Sequence, residues 1–411
     1  MSSLNADVID EIVQKCIDTY MKLTKNGKPV DKEWTVLSCI LQYDRVTSSF
    51  EVVSLGTGSK CIGASKMSPA GDLLNDSHAE VIAKRGFLVY LYDNIGKVLD
   101  KKKSIFLIEN GKFKLMDNIE FIFYSSQMPC GDAAIMPKSV DEEHVGEVIS
   151  SKKRQANEDI FELDLKKQKL DTQDIHRTGA KCLSHNQQDP KAEGTNYHLL
   201  GQVRTKPGRG DRTLSVSCSD KMARWIYMGI QGSLLDMLLV NPIYLSSIIF
   251  GGGVPYSEKS LIRACLERNS LDSLVNIDTV PNFHQSSVVF PNVKNGCCVR
   301  PAPGSIVWIS LDHIITEVAV QGRKLGVTKK KAILPENSLC VSKYNLYKRF
   351  LQISMKIQSQ GIDLKLNIIK ETPYNEAKLK SKRYIEKWKK VKDYFFKTWT
   401  VKPDIWDFIV N

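Results

Sequence analysis

Three short polar motifs, set far apart in the chain, constrain the fold more than any other feature. His78–Ala79–Glu80 stands at the start of a helix-like run. Cys130, in Pro129–Cys130–Gly131–Asp132, lies at a strand-to-helix turn, and Cys218, in Ser217–Cys218–Ser219–Asp220–Lys221, lies at another. One histidine and two cysteines form a donor set for zinc, which at catalytic sites takes three protein ligands and leaves the fourth position to water. Bound zinc lowers the pKa of that water from about 15.7 to about 7. A carboxylate that is not a ligand must then move the proton, and Glu80 is the one at hand.

Both cysteines adjoin expected helix N-termini, where the dipole favours thiolate. Residues i and i+2 do not share a helix face, so His78 and Glu80 converge only if both lie around the exposed end of the helix. Plainer readings stay open. Ser77-x-x-Glu80 is a capping box, which would give Glu80 a purely structural task. A lone cysteine in a reducing compartment is most often a small buried hydrophobe. The compact P-C-x-x-C of many zinc base deaminases is also absent, because position 133 is Ala and the second thiol comes 88 residues after the first.

The charge balance narrows the partner. The 411 residues carry a net +12. Residues 371–402 hold nine Lys and one Arg against four acids, so half of the surplus sits in one short segment. Such a balance fits a polyanion, usually nucleic acid. With 42% hydrophobic and 25% charged residues, collagen-like, wholly disordered and disulfide-stapled classes are excluded. The length admits two to four domains or one large α/β unit. Ten cysteines behind a polar, acidic start with no signal-peptide core predict reduced thiols in the cytosol or nucleus. The most apolar stretch, 233–254, is interrupted by Asp236, Asn241 and Pro242, so no membrane span is expected.

Val8, Ile9, Ile12, Val13, Cys16, Ile17 and Tyr20 recur at three- and four-residue steps and predict an amphipathic helix over 5–23. Residues 34–42, 50–56, 121–125, 214–217 and 243–250 read as strands. Helices are expected from 75–77 through 89, from Ser219, over 343–359 and over 374–396. Residues 138–169 are rich in Ser, Lys, Glu, Asp and Gln and are expected to be a mobile insertion. There is no internal repeat.

Asp76–Ser77–His78–Ala79–Glu80, Pro129–Cys130–Gly131–Asp132 and Ser217–Cys218–Ser219–Asp220–Lys221 resemble the editase domain of adenosine deaminases acting on RNA. Ala223–Arg224–Trp225 and Gly229–Ile230–Gln231–Gly232–Ser233 extend the match, as does the C-terminal Lys/Tyr/Trp region. The resemblance runs from about Trp34 to Phe408 outside the 138–169 insertion. It implies an α/β fold with a cytidine-deaminase-like core, a central mixed sheet flanked by helices, and an extended helical C-terminal part, with residues 1–411 forming one editase domain. It implies zinc on His78, Cys130 and Cys218, with Glu80 as the catalytic acid/base.

Arg177–Thr178–Gly179–Ala180–Lys181–Cys182 and Lys206–Pro207–Gly208–Arg209–Gly210–Asp211–Arg212–Thr213 resemble the tRNA-specific branch of that family. This implies hydrolytic conversion of adenosine to inosine next to the anticodon, on its 3′ side, in alanine tRNA. Only about 33 residues precede the first strand, fewer than the roughly 50 a separate duplex-binding domain needs, so substrate choice is expected to lie on the catalytic surface. Lys181, Arg204, Lys206, Arg209 and Arg212 are the expected phosphate contacts. A duplex-RNA editor, or a non-catalytic zinc-containing RNA-binding protein of the same fold, is the alternative, and the intact Glu80 argues against the second. The resemblance further implies a buried inositol hexakisphosphate. Its expected contacts are Asn75, Lys84, Arg85, Lys221, Arg224, Trp225, Arg323, Tyr374, Lys378, Tyr384, Trp399 and Lys402, with Asp76 and Lys221 linking it to the zinc site. Six phosphates carry roughly −9 to −12, close to the cationic charge of this region. No obligate protein partner and no membrane are implied.

Overall fold

The computed structural model describes residues 4–138, 174–208, 211–268, 274–328, 330–364, 366–401, 403 and 407–410. An eight-stranded mixed sheet runs through it. Its strands are β1 (Leu37–Asp44), β2 (Ser49–Thr57), β3 (Ile119–Ser125), β4 (Leu245–Phe250), β5 (Asn282–Gln285), β6 (Gly304–Ile309), β7 (Ile315–Val320) and β8 (Arg323–Lys324). The spatial order is β5-β4-β3-β1-β2-β6-β7-β8. The β3–β4 and β4–β5 pairs are parallel and the other neighbours antiparallel.

Successive side chains on a strand face opposite ways, so the nearly continuous apolar runs of β1 and β3 demand cover on both faces. Leu37, Cys39 and Leu41 of β1, with Ile122 and Tyr124 of β3, cluster with the apolar stripe of α1 (Ala6–Met21). Asn5 caps that helix, its side chain accepting the Val8 N–H at 2.8 Å. Ile40, Phe121 and Phe123 face the other way and share a core with Ile82, Phe87, Leu91 and Ile95 of α2 (Ala79–Leu99). Each such side chain contributes about 1.5–3 kcal/mol on burial. The helices α3 (Cys218–Met228), α4 (Gly232–Leu238), α5 (Glu258–Cys265), α6 (Lys343–Ser359), α7 (Tyr374–Leu379) and α8 (Lys382–Lys390) follow, and α8 runs into a π-helical turn, Val391–Phe396. Helix α6 packs on α2, and α8 packs on α3 and α4. The α/β class with a central mixed sheet, flanking helices and a helical C-terminal part is the one expected from the sequence. No helix among the described residues is long and apolar enough to cross a membrane.

Three local expectations give way to competing interactions. Residues Asp76–His78 form a short strand paired with Ser59–Cys61, so the helix begins at Ala79 instead of at 75–77. Residues 214–217 make one isolated bridge, Thr205 to Val216, because Ser217 is instead the cap of α3 and accepts the Asp220 N–H at 3.2 Å. The helix expected over 374–396 is divided between α7 and α8, where the chain turns at Ser381. The expected insertion over 138–169 lies, from residue 139 on, outside the described residues.

Candidate metal centre and the ionic network behind it

The three motifs meet where α2, α3 and the turn after β3 come together. His78 is the N-terminal cap of α2, and its neighbour Ala79 donates its N–H to Gly58 O at 3.0 Å, which ties the helix start to the end of β2. Cys218 is the first residue of α3. Cys130 precedes Gly131, whose φ of 109° favours glycine and where a Cβ would lie 2.2 Å from Ser217 Oγ. That close approach presses the two cysteine motifs together. His78 Nδ1 stands 3.6 Å from Cys218 Sγ and 3.9 Å from Cys130 Sγ, and the three donor atoms fall within 4.8 Å of one another. Tetrahedral zinc, with bonds of about 2.0–2.3 Å to nitrogen and sulfur, requires N···S edges of about 3.6 Å. The donor set and its spacing fit zinc.

The thiols titrate as a pair. A hydrogen bond from Cys218, against the cost of burial and with help from Lys206 and His78, holds Cys130 well below the usual thiol range. Burial, then the nearby Cys130 and Glu80 charges, push Cys218 well above it, although Lys206 opposes them. The pocket thus sustains one thiolate readily and a second only when another cation joins it.

Glu80 is the second residue of α2 and is 4% exposed. The capping-box alternative does not hold. The cap is His78, without a side-chain bond, and Ser77 sits one residue earlier, in the strand register opposite Lys60. Both His78 and Glu80 therefore lie at the open end of the helix, the one arrangement in which residues two apart converge.

Behind the ligands lies a buried ionic network. Lys206 Nζ donates to Asp76 Oδ2 at 2.7 Å and to Cys218 Sγ at 3.0 Å. Lys221 pairs with the same carboxylate oxygen, while Asp76 Oδ1 accepts the His78 N–H at 3.0 Å. Burial penalises the Asp76 charge, yet Lys206, Lys221 and His78 hold it far below the usual carboxylate range. Burial likewise works against Lys206, but Asp76 and both thiols raise it well above an ordinary lysine.

This placement corrects two expected RNA contacts. Lys206 is 1% exposed and Arg204 is 0% exposed, so neither reaches a phosphate at the surface. Arg204 forms a two-pronged pair with Asp189, at 2.6 and 2.7 Å, and donates to Leu199 O. The strand alternation, with residues 204 and 206 buried and 205 half-buried beside Lys181–Cys182, is set by pairing with that segment and not by the local sequence. Lys181 and Arg212 are exposed, and Arg209 lies outside the described residues. Also missed was Arg263, which donates to Asp132 Oδ2 at 3.1 Å and to Asp132 O at 2.8 Å, bracing the Cys130 turn.

A second group of cations gathers between α2, α3 and the C-terminal helices. The Arg224 guanidinium lies 3.9 Å from the centre of the Trp388 ring, 5.7 Å from Trp399 and 5.8 Å from Tyr384. Lys378 Nζ stands 5.1 Å from the Tyr374 ring. Burial, then Arg85 and Arg224, lower Lys84 to about 7. Burial and Arg224 lower Lys378 to about 8, with Asp407 opposing. Asn75, which precedes Asp76, has a buried side-chain oxygen with no partner among the described residues. Trp225 instead packs toward Phe123 in the core. Arg323 is corrected: it is exposed, 3.9 Å from Asp72, and donates to Ala332 O. Lys402 lies outside the described residues. The near-cancellation of charge expected for the C-terminal segment also needs revision. Lys382, Lys389, Lys390 and Lys397 are exposed, and Arg383 and Lys387 pair with Asp236 and Asp278.

A sequence model of the adenosine-deaminase (editase) domain matches residues 54–403. The tRNA-specific adenosine deaminase 1 of Drosophila melanogaster is 35% identical over 96% of this chain and 95% of its own length. The Homo sapiens protein of that name is 32% identical over 96% of this chain and 98% of its own. The double-stranded RNA-specific adenosine deaminase of Mus musculus is 28% identical over 88% of this chain, but over 31% of its own length.

Proposed function

The chain belongs to the adenosine-deaminase (editase) family and is a hydrolytic deaminase, and on that premise we propose that it converts adenosine to inosine in tRNA. The observation that carries the proposal is the convergence of His78, Cys130 and Cys218 within 4.8 Å, beside a buried Glu80. The tRNA-specific relatives match this chain along nearly their whole length, and the duplex-specific one does not, which favours tRNA over a long duplex. The motifs at 177–182 and 206–213 direct the reading to the adenosine 3′ of the anticodon in alanine tRNA. An anticodon loop presents splayed bases, so the target needs little extrusion. The whole chain is taken as one editase unit. It works in the cytosol or nucleus with its ten cysteines unpaired, and needs neither a protein partner nor a membrane.

His78, Cys130 and Cys218 would hold one zinc ion, which supplies Lewis acidity that brings the pKa of water from about 15.7 to about 7. The net reaction adds water at C6 of adenine and releases ammonia. Both protons of the water must be moved, the first to ring N1 as the C6–O bond forms and the second from the new C6 hydroxyl to the departing amino nitrogen as the C6–N bond breaks. Glu80 performs these transfers, accepting at its carboxylate and returning the proton to the base. Lys206 donates to Cys218 Sγ and opposes the burial that favours the neutral thiol, so that the bound cation completes the second thiolate, and Asp76 fixes Lys206 while accepting the His78 backbone N–H.

The second cation group is the site for inositol hexakisphosphate, held by Lys84, Arg85, Lys221, Arg224 and Lys378 among Tyr374, Tyr384 and Trp399. Its support is that Lys84 and Lys378 are driven toward neutrality by burial and by neighbouring cations, which is unfavourable unless an anion joins them. Lys221 reaches Asp76, so one salt bridge joins this site to the metal ligands.

Mass-spectrometric mapping of inosine in tRNA, with and without the purified protein, tests the proposal. One new inosine is expected. Glu80→Gln should abolish it, a loss on the order of 10³-fold or more, while about one zinc per chain stays bound. An active Glu80→Gln enzyme, or active protein free of zinc, would overturn the reading.

A further inference from the structure

Helix α8 and the π-helical turn after it divide sharply into two faces. Tyr384, Trp388, Val391 and Phe395 recur at four- and three-residue steps and pack inward. Lys382, Glu386, Lys389, Lys390, Asp393 and Lys397 recur on the opposite side, and all six are exposed. Over residues 382–397 the sequence holds seven cations and two acids. Two of those cations are neutralised by acids from elsewhere, Arg383 by Asp236 and Lys387 by Asp278, and Lys392 faces Asp393 at 3.7 Å. Lys382, Lys389, Lys390 and Lys397 form no ion pair among the described residues. Uncommitted positive charge is thus concentrated on the outer face, where it cannot serve the buried anion site.

This face is continuous with the catalytic region. Lys397 and Thr398 line a surface depression of about 360 Å³ together with Asn186, Gly201 and Gln202. Asn186 donates to Thr398 Oγ1 at 3.1 Å, and Gly201 donates its N–H to Asp132 Oδ1 at 2.8 Å, two residues from Cys130. The basic stripe therefore ends against the loop that braces the metal-site turn.

Burial of Arg204 and Lys206 leaves Lys181 and Arg212 as the exposed cations among the described contacts expected near the site. Two point charges bind a polyanion weakly, because each phosphate contact adds only about 0.7–0.9 to the salt slope. We propose that the outer face of α8, through Lys382, Lys389, Lys390 and Lys397, is a second RNA-docking surface. It grips phosphates of the tRNA body while the reacting loop occupies the metal site. The partner is RNA because the stripe is a row of lysines, which contact phosphates as point charges without reading sequence. From Lys382 to Lys390 it spans about 12 Å, room for several successive phosphates. The proposal rests on the tRNA reading above and adds a surface to it.

The test compares intact tRNA with its isolated anticodon stem-loop, using full-length protein and fluorescence anisotropy from low to moderate salt. Lys382→Ala, Lys389→Ala and Lys390→Ala combined should weaken binding of intact tRNA on the order of 10-fold and lower its salt slope by about 2–3. Stem-loop affinity, kcat at saturating tRNA and zinc content should not change. The matching triple Lys→Arg variant should bind like the parent, which separates lost charge from misfolding. If the triple Ala variant keeps the parental affinity and slope for tRNA, or loses stem-loop binding equally, the surface is wrong. The first of these outcomes would leave the stripe to an acidic protein. If the parent protein itself neither binds nor deaminates tRNA, the tRNA reading fails instead.

Discussion

The protein buries positive charge in two neighbouring places and treats it in opposite ways. Behind His78, Cys130 and Cys218, the buried cations have carboxylates: Lys206 and Lys221 share Asp76, and Arg204 takes Asp189. Lys206 is raised well above an ordinary lysine as a result. Among the C-terminal helices, Lys84, Arg85, Arg224 and Lys378 face one another and a wall of aromatic rings, and Lys84 and Lys378 fall to about 7 and 8. The first region is electrostatically complete as a polypeptide. In the second, none of these four cations forms an ion pair among the described residues, and it is the anion of the proposed reading that would complete it. Lys221, paired with Asp76, lies on α3 about one turn before Arg224 of the second region.

The comparison breaks most visibly if the anion is withheld. Protein made in cells unable to synthesise inositol hexakisphosphate should be largely misfolded and inactive, since an uncompensated buried charge costs several kcal/mol and this region holds several. Well-folded, active protein carrying no phosphate-rich ligand would remove the contrast altogether. The next largest effect comes from making the complete region resemble the incomplete one. Asp76→Asn leaves Lys206 and Lys221 without their shared partner and should cost about 3–5 kcal/mol, read from urea unfolding. A loss below about 1 kcal/mol would mean that solvent already screens the pair.

A smaller, signed effect separates the regions by pH. In the anion-free protein the folded-state pKa of Lys84 and Lys378 lies below the unfolded value of 10.5. Between roughly pH 7 and 10 the unfolded chain therefore binds more protons, and stability rises with pH. Raising the pH from 7 to 9 should recover part of the folded near-ultraviolet signal, with a gain on the order of 2 kcal/mol. The rescue is incomplete, because the anion's other contacts are still missing. Protein holding the anion should show no such rise, because the anion keeps both lysines protonated. Equal pH profiles for the two preparations would contradict the assignment.

The two regions also differ in how far the sequence disclosed them. The meeting of His78, Cys130 and Cys218, with Glu80 at the same helix end, was legible because each lies at a strand–helix junction that local pattern locates, and because their residue types admit few other chemistries. The helix α1 and the strands β1 to β3 were legible from apolar periodicity alone. The ionic network was not. Lys206 and Arg204 sit in a Gly- and Arg-rich stretch that reads as a solvated loop, and only pairing with Lys181–Cys182 turns them inward. Asp189, the partner of Arg204, lies in a polar run with no periodicity. Such pairs are made by tertiary contact between segments with no local bias to meet. The C-terminal lysines show the converse error, since the resemblance set the region around a buried anion and the charge count then credited every one of them to it. Two helices divide them, with Lys378 of α7 directed to the cluster and Lys382, Lys389 and Lys390 of α8 to solvent.

The finest test of the comparison keeps every charge and changes only its shape. Arg224 sits 3.9 Å from the centre of the Trp388 ring, with Trp399 and Tyr384 also close, an arrangement a planar guanidinium fills and a lysine ammonium does not. Arg224→Lys preserves the net charge offered to the anion but gives up the stacking, worth about 0.5–2 kcal/mol depending on desolvation. The expected result is a small fall in Tm with the phosphate ligand still bound in full and zinc unchanged. Arg224→Met, which removes the charge as well, should lose ligand as well as stability. If Arg224→Lys instead sheds the ligand to the same extent as Arg224→Met, then Arg224 acts by a two-pronged hydrogen bond to phosphate and not by stacking, and the aromatic wall serves the fold alone. If neither substitution changes ligand content, the cations of this region do not enclose an anion, and the contrast with the self-neutralised network around Asp76 is lost.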